Sequence, residues 1–184
     1  MILQRLFEQW GKLDAEWNQG KGTQRYFEYM WALRFADLDG KKIIDVGCGE
    51  KKFLKRLLGS YNTVYSVDQE IKVVEPYDFA SDIEVFVELP VFTHNKFDYV
   101  FCISVLEHVE NYKTFAKALD KFDCDIIMTF EHGTNETYVT NKNMYEFLSY
   151  FENHYLSHME RCPVLADNSN GTWQPLGIIL QRNM

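Results

Sequence analysis

The stretch IIDVGCGEKKFLKRLL, Ile43 to Leu58, passes from a short apolar segment through two closely spaced glycines into a helix-like pattern, with Asp45 just ahead of the glycines. Lys42 to Val46 reads as a buried strand, and Lys51 to Leu58 reads as a helix because Phe53, Leu54, Leu57 and Leu58 recur at helical spacing. That spacing leaves the bases of KKFLKR (Lys51 to Arg56) on a solvated face. Glycine places no Cβ in a ligand's way and tolerates positive φ, so a turn on Gly47 and Gly49 lets backbone approach a ligand closely. The helix that follows points its free N–H groups at the same place.

A pyrophosphate-binding turn would carry a third glycine at position 52, which is Lys here. Asp45 would also repel a pyrophosphate, whereas it suits a cationic group such as an α-ammonium, directly or through water. Asp68 ends the next strand-like run, Thr63 to Val67, about 20 residues past the glycines, where an acid can accept both hydrogen bonds from a ribose diol. A ligand that carries an ammonium and a ribose without phosphate is S-adenosylmethionine.

Further along, FDYVFC (Phe97 to Cys102) and CDIIMTF (Cys124 to Phe130) are apolar strands. Between them lies a helix that Asn111 can cap and that buries Tyr112, Phe115, Leu119 and Phe122. Alternating strands and helices argue for a parallel sheet with helices on both faces. Asn143 and Glu146 stand at capping-box spacing before another helix, and HYLSHMERCPV and PLGIILQR then read as an antiparallel pair. Two helices are expected at the start, over about 2–17 and 23–38, with Thr23 as a cap. Asp82 to Leu89 alternates, with Ile83, Val85, Val87 and Leu89 on one side, and reads as a half-buried edge strand after a shortened crossover.

With 184 residues, 46% of them hydrophobic, and 14 Phe, 11 Tyr and 4 Trp, one domain with one well-buried core is expected. The formal charge of −8 and the lack of a long basic block make nucleic acid a poor partner. Four scattered cysteines suggest neither a disulfide framework nor a metal site and fit a reducing, cytoplasmic setting. No apolar segment approaches membrane-spanning length and no signal-peptide core is seen, so a soluble protein is expected.

Three pieces in order, IIDVGCGEKKFL (Ile43 to Leu54), VYSVDQ (Val64 to Gln69) and ELPVFTHNKFDYVFCISVLEHVEN (Glu88 to Asn111), resemble the class I S-adenosylmethionine-dependent methyltransferases, most closely the small "type 11" or ubiquinone-biosynthesis-like group. The resemblance implies an α/β fold, a Rossmann-like doubly wound seven-stranded sheet with an antiparallel C-terminal strand pair. It implies one methyltransferase domain over 1–184, with 1–38 as a helical lid and 41–184 as the Rossmann-like core. Carried over, Gly47, Cys48 and Gly49 form the loop under the methionine part, with Asp45 ahead of it. Asp68 takes the ribose hydroxyls, Gln69 lies beside the adenosine, Cys102, Ile103 and Ser104 line the cofactor, and Arg25 of the lid meets its carboxylate. Tyr26 and Tyr29 of the lid, and Trp173 between the last strands, are candidates to cover the substrate.

Two positions depart from the family pattern. Lys51 stands where a small residue is usual, and Val85 where an acid usually meets the adenine, so that Asp82, Glu84 or Glu88 would substitute. A hydroxyl acceptor needs its proton removed, and His108 and His132, each beside a glutamate (Glu107, Glu131), are the candidate bases where strands four and five should end. The expected reaction is methyl transfer to a small molecule or to a sugar- or lipid-type group, at oxygen. Two rivals are a catalytically degenerate cofactor-binding or protein-interaction module of the same fold, and a nicotinamide-dependent oxidoreductase, which Asp45 and Lys52 oppose.

Overall fold

The computed structural model describes residues 22–72, 74–83, 86–132, 143–162 and 174–183, with the side chains of all of these except residues 22–27, His132 and Gln174. The expected helix over 2–17 and the positions Glu84, Val85 and Trp173 singled out above lie outside the described residues, as do the side chains of Thr23, Arg25 and Tyr26.

Seven strands form one sheet: β1 (Lys42–Val46), β2 (Thr63–Val67), β3 (Asp78–Phe79), β4 (Tyr99–Ile103), β5 (Asp125–His132), β6 (His154–Arg161) and β7 (Gln174–Arg182). Their order is β3-β2-β1-β4-β5-β7-β6. The first five are parallel, whereas β7 enters between β5 and β6 and runs antiparallel to both. This is the expected doubly wound sheet with its antiparallel C-terminal pair.

The helices among the described residues are α1 (Gly22–Leu33), α2 (Phe53–Leu58), α3 (Pro90–His94), α4 (Tyr112–Leu119) and α5 (Met144–Ser149). Successive residues of a strand point to opposite faces, and the interior strands here are apolar on both. Ile43, Phe101, Ile103 and Ile127 therefore pack with α1 and α2, while Ile44, Cys102, Ile126 and Met128 pack with the other face, where Phe115 of α4 and Phe147 of α5 lie. Asn111 caps α4 as expected, its Oδ1 accepting from the Thr114 N–H at 3.1 Å.

Helix α1 ends at Leu33 rather than near residue 38. It is docked by Trp31, which lies so close over β7 that a Cβ at Gly177 would meet the indole Cη2 at 2.4 Å. The Trp31 Nε1–H donates to Glu160 of β6 at 2.5 Å.

One expectation is corrected. The described residues of Asp82 to Leu89 show no strand: Phe86–Glu88 is a short 3-10 turn, and the strand that extends the sheet beyond β2 is the two-residue β3, at Asp78–Phe79. The alternation misleads because Phe86, which it would set on the face opposite Ile83, Val87 and Leu89, is fully buried beside Val87, against Phe92 and Phe122. Aromatic packing at the foot of the sheet decides this segment.

Candidate functional site

The strand order reverses between β1 and β4, and in an open α/β sheet the crevice beyond the carboxyl ends of the strands at such a point is where ligands bind. A cleft of about 320 Å³ lies there, walled by Gly47 and Gly49 after β1, Asp68 and Gln69 after β2, and Ser104 and His108 after β4. Glu70, Ile83 and Val105 complete the lining. Six residues singled out from the sequence thus meet in one place, although they come from three separate stretches of chain.

The glycine loop is held from two sides. Gly47 and Cys48 donate their N–H groups to the Val67 carbonyl, at 2.8 and 3.3 Å. Gly49 donates its N–H to Asp68 Oδ2 at 2.8 Å, and the other oxygen of Asp68 accepts from the Glu70 N–H at 2.8 Å. Asp68 therefore orders both the loop and its own turn, and a carboxylate keeps lone pairs for further donors. Both glycines are left-handed, with φ of 72 and 64 degrees. At Gly47 a Cβ would also stand 2.3 Å from Val105 Cγ2, whereas at Gly49 it would meet nothing within 4 Å, because the cleft opens there.

Asp45 is 1% exposed at the end of β1. Cys48 is buried beneath the loop, and burial, reinforced by the charges of Asp45, Asp68 and Asp78, pushes its thiol far above the ordinary range. Ser104 is left-handed at φ 51 and is pinned by its N–H donating to the Thr129 carbonyl at 2.8 Å. Cys102 and Ile103 are buried on opposite faces of β4. Burial first, then the charges of Glu107 and Asp45, raise the Cys102 thiol well above its usual value.

His108 is exposed at the end of a short 3-10 turn, Leu106–His108, while its neighbour Glu107 is 6% exposed. His132 ends β5 at the same edge of the sheet, three residues beyond Thr129, which pairs with Ile103 of β4. Arg25 belongs to α1. Of the acids considered for the adenine, the exposed Glu88 bonds Lys121 Nζ at 2.5 Å, and Asp82 is exposed next to Ile83 of the cleft wall.

The two lysines after the loop behave differently. Lys51 is exposed, so it does not crowd the turn. Lys52, where a dinucleotide fingerprint has its third glycine, adopts the left-handed conformation itself, at φ 47. Its ammonium lies 2.7 Å from the buried Asp78 and 3.2 Å from Glu75.

Sequence reasoning missed Glu28, a 1%-exposed acid of α1 whose carboxylate accepts from Ser104 Oγ and Thr129 Oγ1. Its signal was present: it falls three and four positions before Trp31 and Ala32, on the apolar stripe. Val105, Ile83 and Glu70 carried no such signal, because their part in the wall depends on how separate loops meet.

The donor set fits S-adenosylmethionine. Left-handed glycine backbone, a loop-end carboxylate able to take a ribose diol, and a wall with Asp68 and Glu70 but no Lys or Arg among its described residues suit a cationic, phosphate-free ligand. Among the described residues, no group of His, Cys, Asp and Glu is placed to hold a metal ion, and no helix is long and apolar enough to cross a membrane.

Comparison with known proteins agrees. A family model described as "Methyltransferase domain" matches residues 19–123, more than half of the chain. Solved structures with the same fold include a putative S-adenosylmethionine-dependent methyltransferase from Listeria monocytogenes, with a TM-score of 0.67 and 13% identity, covering 86% of this chain and 99% of that one. Magnesium protoporphyrin IX methyltransferase from Synechocystis, with bound S-adenosylmethionine, has a TM-score of 0.60 and 17% identity over 87% and 79% of the two chains. A 1,6-didemethyltoxoflavin-N1-methyltransferase from Burkholderia thailandensis has a TM-score of 0.61 and 12% identity over 100% and 88%. At these identities the likeness is one of fold. A search of curated proteins found no match.

Proposed function

The chain belongs to the methyltransferase-domain family, as an S-adenosylmethionine-dependent methyltransferase, and from that premise we propose that it methylates a hydroxyl of a small molecule or of a sugar- or lipid-type group, with His108 as the base. The observation that carries this reading is the placing of an exposed His108 on the wall of the cleft that Gly47, Gly49, Asp68 and Ser104 also line.

The cofactor supplies a methyl group already activated on a sulfonium. The chain has to hold it, align the acceptor and exclude water. In this reading Gly47 and Gly49 offer bare backbone to the methionine part, Asp45 supplies negative charge for the ammonium, and Asp68 takes the ribose diol with Gln69 beside it. Arg25 is assigned to the carboxylate of the cofactor. His108 accepts the proton of the acceptor hydroxyl as the oxygen attacks, a task suited to an imidazole at neutral pH. His132, at the end of β5, is the alternative base. Cytoplasmic residence and a single domain spanning the chain belong to the same proposal.

The test uses radiolabelled S-adenosylmethionine with a panel of sugars, polyols and phenols, followed by mass spectrometry of the product. An O-methylated product is expected, with His108→Gln lowering kcat about 100-fold at unchanged cofactor affinity. Methylation at nitrogen or sulfur, or an undiminished rate in the variant, would overturn the reading.

A further inference from the structure

The buried face of α1 holds one acid where an apolar side chain would suffice for packing. Glu28 is 1% exposed, and its Oε2 accepts from Ser104 Oγ at 2.5 Å and from Thr129 Oγ1 at 2.6 Å. Its two hydrogen bonds tie α1 to the end of β4 and to β5, while Trp31 separately seats the helix against Gly177 and Glu160. Burying a carboxylate is costly, so its retention calls for a use of the charge.

Ser104 is part of the cleft wall, which places the Glu28 charge one hydroxyl behind the ligand's space. Asp68 and Glu70 stand on the same wall.

We propose that Glu28 is a specificity-determining residue that holds a fixed negative charge behind Ser104, so that the site prefers the cationic methyl donor over its uncharged thioether product. The inference rests on the cofactor assignment. Methyl transfer breaks the sulfur–methyl bond and forms a bond from the acceptor atom to the same carbon. The bonding pair stays on sulfur, so the sulfonium charge disappears, and the proton of the acceptor leaves to the base. A charge held in a poorly screened wall therefore attracts the donor more than the product. The donor is retained and the product is released. Because the sulfonium charge is already present in the ground state, the effect lies on affinity rather than on the rate of the chemical step.

The experiment is calorimetric titration of the wild-type protein and of Glu28→Gln with S-adenosylhomocysteine and with sinefungin, which carries an amine where the sulfonium stands. The wild type is expected to bind sinefungin about tenfold more tightly than S-adenosylhomocysteine, and Glu28→Gln is expected to bring the ratio close to one. Equal weakening of both ligands by the substitution, or no change in either, would overturn the inference while leaving the cofactor assignment intact. If the variant does not fold, equal affinities of the wild type for the two ligands would overturn it alone. Absence of binding of both ligands by the folded wild type would overturn the cofactor assignment, and the inference with it.

Discussion

At position 47 two independent constraints meet. The backbone is left-handed, which costs about 1 kcal/mol for a residue with a Cβ, and that Cβ would stand 2.3 Å from Val105 Cγ2. Gly47→Ala must therefore shift Val105, itself part of the cleft wall. We expect the variant to remain folded, to be destabilised by about 1–3 kcal/mol as in other overpacked sites, and to bind S-adenosylhomocysteine at least tenfold more weakly. Parallel urea unfolding and calorimetry would check this, and unchanged affinity would contradict it. Gly47, Gly49 and Asp68, which line the cleft, were legible in the sequence because strand ends and tight turns impose local chemistry. Glu28 showed only its place on an apolar stripe, and the left-handed Lys52 showed nothing, since their partners come from residues 26 to 101 positions away.

Between elements, the link from α2 to the edge of the sheet runs through Asp78. Its buried carboxylate receives Lys52 Nζ at 2.7 Å, Lys55 Nζ at 2.6 Å and the Glu75 N–H at 2.9 Å. Burial alone would raise its pKa, but the hydrogen bonds from the two lysines hold it below the usual carboxylate range. A depressed folded pKa means that this stabilisation is complete above the unfolded value, near 3.8, and is lost as pH falls through the folded value. Asp78→Asn removes the closer of the two carboxylates that meet the buried Lys52, leaving Glu75 at 3.2 Å, and should cost about 2 kcal/mol at pH 7. The gap between variant and wild type should narrow below about pH 4 in urea titrations. A gap that is constant with pH would rule out the ion pair as its source. The same region shows why β3 was misplaced. Two residues cannot display a period, whereas the chance alternation of Asp82 to Leu89 can, and only the ring cluster of Phe86, Phe92 and Phe122 decides against it.

For the whole molecule, the parallel sheet and its antiparallel C-terminal pair were legible because apolar strands alternate with amphipathic helices, and because the loop between the last two runs has a length that suits an antiparallel pair. Insertion of β7 between β5 and β6 came from the family resemblance rather than from the residues, as the sequence of β7 has no feature that selects its neighbours. The outcome is a crevice between β1 and β4 that gathers Gly47, Gly49, Asp68, Ser104 and His108. The central claim is that this crevice holds S-adenosylmethionine through Asp68. It is tested most directly by calorimetric titration with S-adenosylhomocysteine of the wild type and of Asp68→Ala, with unfolding midpoints measured on both. The account predicts micromolar binding by the wild type and a loss of at least tenfold in the folded variant, and it would be contradicted by a folded wild type that does not bind, or by a variant that binds equally well.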